Sequence, residues 1–97
     1  MHFVVTRHDK PNSLQLRLAT RPRHLVYLEA VTDKIVYGGA LLAADGTQMG
    51  SILVIDVPDM AAAREFADAD PFVAAGLFAE TLIEPFRPVF RDGKRID

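Results

Sequence analysis

The chain of 97 residues has no cysteine. Disulfides, thiolate metal sites and thiol nucleophiles are therefore excluded. Long apolar runs are missing as well: none approaches the roughly 18 residues needed to span a bilayer. Charge of one sign is also lacking. The net charge is −2 with acidic and basic residues interspersed, so neither nucleic acid nor an anionic membrane is an expected partner. Met1-His2-Phe3-Val4-Val5 has no positive n-region and no long apolar h-region, so it reads as a strand, and the expected address is the cytoplasm. His2, His8 and His24 lack metal-ligand spacing such as His-x-x-x-His, and no metal is expected. The glycines form neither a Gly-x-Gly-x-x-Gly pattern nor a phosphate loop, and no flanked Gly-x-Ser-x-Gly occurs. No cofactor is expected.

What remains is ordinary globular composition, 49% hydrophobic and 25% charged, sufficient for one domain over residues 1–97. His2 to His8 alternates, with Phe3, Val5 and Arg7 on one face and Val4, Thr6 and His8 on the other. The turn cluster Asp9-Lys10-Pro11-Asn12-Ser13 ends it. Leucines 14, 18, 25 and 28 recur at helical spacing to about Asp33, and Pro22 predicts two helical pieces or a kinked helix. Arg17, Arg21 and Arg23 read as a solvated helix face flanked by Asp9, Glu29 and Asp33.

Ile35 to Ala43 reads as a strand in which Gly38-Gly39 marks a bulge or a close approach. A hairpin-like loop over 44–50 carries the Asp-Gly signal, and Ser51 to Val57 is the clearest strand. Pro58-Asp59 opens a helix over Met60–Asp68. A short helix after Pro71 runs to Gly76 or Leu77. A last strand covers Ala79–Phe90, placed at an edge by Pro85 and Pro88, and 91–97 is a polar tail. The order β-α-β-β-α-β predicts an α+β, ferredoxin-like fold with a four-stranded antiparallel sheet and both helices on one face. Phe3-Val4-Val5 and Ile52-Leu53-Val54-Ile55 are apolar on both faces, although helices cover only one. A homodimer through the bare sheet face is the expected resolution.

Asp70 stands before Pro71, where the first of two helices must stop and the next can open, so its carboxylate is an N-cap at a chain reversal. His24 is the candidate partner. Near a helix N-terminus the dipole holds its pKa down, while a neighbouring carboxylate raises it and selects the tautomer. A general base near neutrality is the functional reading, and a polar flank residue beside Leu25 and Leu28 is the structural one. Ser51 either donates into a pocket or merely opens a strand. Asp9 either serves the site or caps the turn before the first helix. Phe72 is either core or an aromatic pocket wall.

Asp9-Lys10, Ser13-Leu14, Arg17-Leu18, Arg21-Pro22-Arg23-His24-Leu25, Gly39, Gly50-Ser51, the run Ala67 to Gly76 and Pro85-Phe86 together resemble the YciI-like family of the dimeric α+β barrel group. The resemblance spans about residues 2–90. It implies a homodimer whose sheets pack into a barrel, with His24 and Asp70 as the catalytic pair; Ser51, Phe72 and Asp9 stand beside them as substrate-binding candidates on the reading of the residues alone. It also implies lyase-type elimination from hydroxylated aromatic rings. Two departures fall at the expected pocket rim: Gly39-Ala40 where the family often has Gly-Pro, and a shorter loop over 44–50. The resulting expectation is a small cofactor-free enzyme of lyase, isomerase or hydrolase type acting on a small molecule. The alternatives are a non-catalytic metabolite-binding or accessory module of the same fold, and haem-linked chemistry, against which the pairing of His24 with Asp70 argues.

Overall fold

The computed structural model describes residues 1–97. Strands β1 (His2–Asp9), β2 (Ile35–Leu42), β3 (Gln48–Asp56) and β4 (Phe78–Phe86) form one antiparallel sheet in the order β2-β3-β1-β4. Helix α1 (Leu14–Ala30) joins β1 to β2 through a 3-10 turn over Thr32–Lys34, and α2 (Met60–Asp68) and α3 (Pro71–Ala74) join β3 to β4. This is the expected ferredoxin-like α+β fold, the protomer architecture of the dimeric α+β barrel group.

Local signals explain most boundaries. Asp59 caps α2 by accepting from the Ala62 N–H at 2.9 Å. Asp70 is extended, as a residue before proline must be, and Pro71 opens α3 at its first turn. Gly76 ends α3 with φ +76°, a conformation that needs no Cβ penalty only in glycine. Pro85 falls in β4, an edge strand, where a missing N–H costs no ladder bond.

Alternation along β1 divides the sheet. Phe3 and Val5 lie on the helix side with Ile55 and Val57, and with Ala63, Phe66 and Ala67 of α2 they make the core. On the opposite face lie Val4, Ile52, Val54, Leu82 and, on β2, Tyr37, which is 78% exposed. Only 14 of 97 residues are buried, and none of these five is among them, so the chain alone leaves an apolar sheet face in water.

Several expectations need correction. The two helical pieces that Pro22 could have produced are one helix, α1, which runs through the proline. The bond that proline removes would have used the Leu18 carbonyl, and Leu18 is exposed, so water can serve it. The leucine stripe is not the buried face of the helix's first half. Leu14 and Leu18 are exposed, whereas Arg17 and Thr20 are sealed. Arg17 is thus not part of a solvated basic face, although Arg21 and Arg23 remain exposed. The loop between β2 and β3 is tighter than 44–50, since Gln48 to Gly50 already belong to β3. The last long strand stops at Phe86, and residues 91–97 are not a plain tail. Phe90–Arg91 (β5) and Lys94–Arg95 (β6) form a hairpin around Asp92-Gly93, both at positive φ.

Candidate active site

The Asp70-Pro71 junction meets α1 at His24, which lies in the middle of the helix and not near a helix N-terminus, where a restart at Pro22 would have placed it. His24 Nδ1 lies 3.0 and 2.9 Å from the two Asp70 carboxylate oxygens. An ionised carboxylate has no proton to offer, so Nδ1–H donates and the lone pair of the neutral ring is left on Nε2. Asp70 caps α3 at the same time, its Oδ1 accepting from the Phe72 N–H at 2.9 Å. Nε2 has no partner within the chain and is not among its sealed polar atoms, so it is accessible.

Beneath the pair lies Arg7, a cation that shares its face of β1 with Phe3 and Val5. Arg7 Nη1 stands 3.6 Å from Asp70 Oδ2, an ionic contact longer than a hydrogen bond. Its Nη2 donates to the Ala67 carbonyl and its guanidinium sits 4.5 Å from the Phe78 ring centroid. Burial lowers the Arg7 pKa, opposed first by the charge of Asp70, but guanidinium basicity is high enough that the side chain stays cationic. Asp70 therefore meets three donors or cations from three different elements, which holds its carboxylate in place. Tyr27, one turn beyond His24, donates to the Phe66 carbonyl at 2.7 Å. Burial raises its pKa, and the Asp70 charge adds to the rise.

Phe72 is core. It is 1% exposed and stacks under the His24 ring with centroids 4.1 Å apart, so it orients the imidazole from below and does not form a pocket wall. Asp9 does not cap the turn before α1, since its carboxylate bonds to no backbone N–H there, and Ser13 at the helix start makes no side-chain cap bond either. Asp9 instead accepts two bonds from Arg17, at 2.6 and 3.0 Å. This planar, two-pronged pair is what a guanidinium and a carboxylate make when both are buried.

On the open side of His24 a cleft of about 320 Å³ separates α1 from β2 and β3. Its walls include Leu25, Leu28 and Leu53, with Arg21, Gln48 and Ser51 as polar groups. A space of this size suits a single ring. His24 and Ser51 line it, whereas Asp70, Phe72 and Asp9 do not. Gly38, Gly39 and Ala40 form part of the rim, where the departures from the family pattern were noted. A Cβ on Gly38 would come within 2.2 Å of Leu53 Cδ2, the close approach anticipated at the glycine pair. Arg17, Arg21 and Gln48 escaped the sequence reading. Arg17 and Arg21 had a signal in the basic cluster, but burial and partner choice are tertiary facts.

Comparison with known proteins agrees with the fold. Residues 1–87 match the YCII-related domain. Protein YciI of Escherichia coli is 35% identical over 98 residues, covering 93% of this chain and all of that one. An uncharacterized protein of Haemophilus influenzae is 32% identical over the same length. Among solved structures, the 5-chloro-2-hydroxyhydroquinone dehydrochlorinase of Burkholderia phenoliruptrix, in complex with 2,5-dihydroxybenzoquinone, superposes with a TM-score of 0.85 at 38% identity, over 90% of this chain and 94% of that one. No helix of this chain is long and apolar enough to cross a membrane. The chain belongs to the YCII-related family.

Proposed function

We propose that this chain is a cofactor-free, lyase-type enzyme that removes the elements of a small acid from a hydroxylated ring, with His24 as general acid and base and Asp70 as its orienting partner. The observation that carries this reading is the two-oxygen grip of Asp70 on Nδ1, which leaves Nε2 as a free base beside a cleft of ring size. The dehydrochlorinase supports it, because a protein 38% identical over nearly its whole length acts on a hydroxyhydroquinone.

A balanced sequence needs no oxidant. Nε2 takes the proton of one ring hydroxyl and returns it to the ring carbon that bears the leaving group, converting the phenol to its keto tautomer. Removal of a second hydroxyl proton then drives electrons through the ring and expels the leaving group as an anion. The product is a quinone, and the net loss is one proton and one anion. Ser51 serves as a hydrogen-bond donor to a ring oxygen, Phe72 fixes the imidazole plane, and Asp9 holds Arg17 at the back of the site. The same reading includes a homodimer formed through the bare sheet face of Val4, Ile52 and Val54.

The test is a turnover screen of halogenated and unsubstituted hydroxylated rings, read by quinone absorbance and halide release, with wild type beside His24→Ala. Turnover absent from the variant alone is expected. Equal rates in both would defeat the mechanism, and a wild type that binds rings without turning any over would mark a binding module instead.

A further inference from the structure

The geometry points to an anionic substrate: the cleft beside His24 takes a ring compound whose carboxylate or ionised ring oxygen pairs with Arg21. This rests on the cleft being the substrate site, and it adds the charge class of the ligand. The chain as a whole carries a net charge of −2, yet no carboxylate lines the cleft, whereas two guanidinium groups do. The two are not equivalent. Arg17 is already neutralised, with Nε and Nη2 bound to the two oxygens of Asp9 and both side chains 5% exposed. Arg21 takes part in no ion pair anywhere in the chain.

Position completes the case. Arg21 precedes His24 by three residues on continuous α1, so the two side chains share a face with their Cβ atoms about 5–6 Å apart. A planar guanidinium presents a fork that fits a carboxylate or two adjacent ring oxygens. An uncompensated cation over a cleft without acids concentrates anions there. Leu25 and Leu53 supply apolar wall for the ring body. A ring held at Arg21 by its anionic oxygen keeps its other edge within the span of the His24 imidazole.

The test is calorimetric binding of matched acid and neutral probes, independent of turnover. Gentisate is compared with its amide for the carboxylate, and 2,5-dihydroxybenzoquinone, the compound bound to the dehydrochlorinase, with its dimethyl ether for the ionised ring oxygen. Wild type should bind at least one acid about tenfold or more tightly than its neutral counterpart, the effect of one charge-assisted contact. That preference should weaken as salt rises, persist in His24→Ala and vanish in Arg21→Gln, whose exposed helical position tolerates glutamine. The acid that shows the preference identifies the source of the charge. Equal binding of acid and neutral probes, a preference kept in Arg21→Gln, or no binding of any of the four overturns the proposal. Charge preference without turnover of any ring removes the enzymatic reading and leaves the anion site; turnover of neutral rings without charge preference does the reverse.

Discussion

Arg7 and Asp70 form a buried ion pair: each residue is only 4% exposed, and Nη1 stands 3.6 Å from Oδ2. A carboxylate sealed at a helix junction requires compensation, and it comes from this guanidinium, the His24 N–H and the Phe72 N–H. The imidazole must exchange protons if it is to work as a base, whereas the guanidinium is a permanent positive charge beside the carboxylate. The Arg7 Nε has no hydrogen-bond partner, so the side chain is held by fewer bonds than it could make. It is placed by its bond to the Ala67 carbonyl, by the carboxylate and by the Phe78 ring.

Arg7→Met should therefore destabilise the protein by about 3–5 kcal/mol, the usual effect of stripping one partner from a buried pair. Adding Asp70→Asn to that variant should recover part of the loss, because the uncompensated charge is gone. Urea midpoints of the two single variants and the double variant check this. A midpoint for Arg7→Met equal to that of wild type would show that the carboxylate does not depend on the guanidinium.

His24→Ala and Asp70→Asn should each lower turnover by about 100- to 10,000-fold, the range for loss of a positioned acid–base group. The amide can present its own N–H to the ring and so favour the wrong tautomer, which is why Asn is not a neutral replacement. Single-turnover rates on any ring compound found active are the measurement. His24→Ala with a wild-type rate would remove the imidazole from the mechanism.

The glycines of the sheet should respond unequally. A Cβ on Gly50 would stand 2.2 Å from the Arg7 carbonyl oxygen, a backbone atom that cannot yield without parting β1 from β3. A Cβ on Gly39 meets nothing within 4 Å. Gly50→Ala should lose about 1–3 kcal/mol or more, as overpacking does, while Gly39→Ala stays near wild type. Thermal melts side by side decide it, and comparable melts for the two variants would contradict the spacing between β1 and β3.

Charge on the bare sheet face should disrupt association. Val54 lies on that face opposite Val4, next to Tyr37 on β2. If two copies pair there, Val54→Asp places an unpartnered carboxylate in the interface and should dissociate or unfold the dimer. Sedimentation equilibrium gives the answer, and a wild type that is monomeric at micromolar concentration would refute the pairing.

Tyr27 should give the fold an alkaline limit. Burial raises its pKa above the ordinary 10.0, so the native state holds the phenolic proton more tightly than the unfolded chain does. The contribution is fully present below pH 10.0 and is lost as pH rises through the raised native value. Urea midpoints followed upward through that range should fall more steeply for wild type than for Tyr27→Phe. Parallel curves would assign the alkaline loss to other groups.

The sequence by itself determined the features whose causes are local. Alternation over His2–His8 defined β1 and its faces, Asp59 marked the start of α2, and Asp70-Pro71 marked the helix junction to the residue. Each follows from backbone preferences set within a few positions. The family resemblance pairs His24 with Asp70, and the fold brings the two within hydrogen-bonding distance. Tertiary structure decided the rest. Pro22 sits inside an unbroken α1 because packing along the whole helix outweighs one lost bond on an exposed side. The buried stripe of α1 runs through Arg17 and Thr20, not Leu14 and Leu18, because helical spacing defines stripes without saying which one meets the sheet. Arg7 became the counter-ion of Asp70, and Arg17 that of Asp9, because a buried charge is stable only beside a partner. Such partners are chosen by proximity in space, across elements that the chain order keeps far apart.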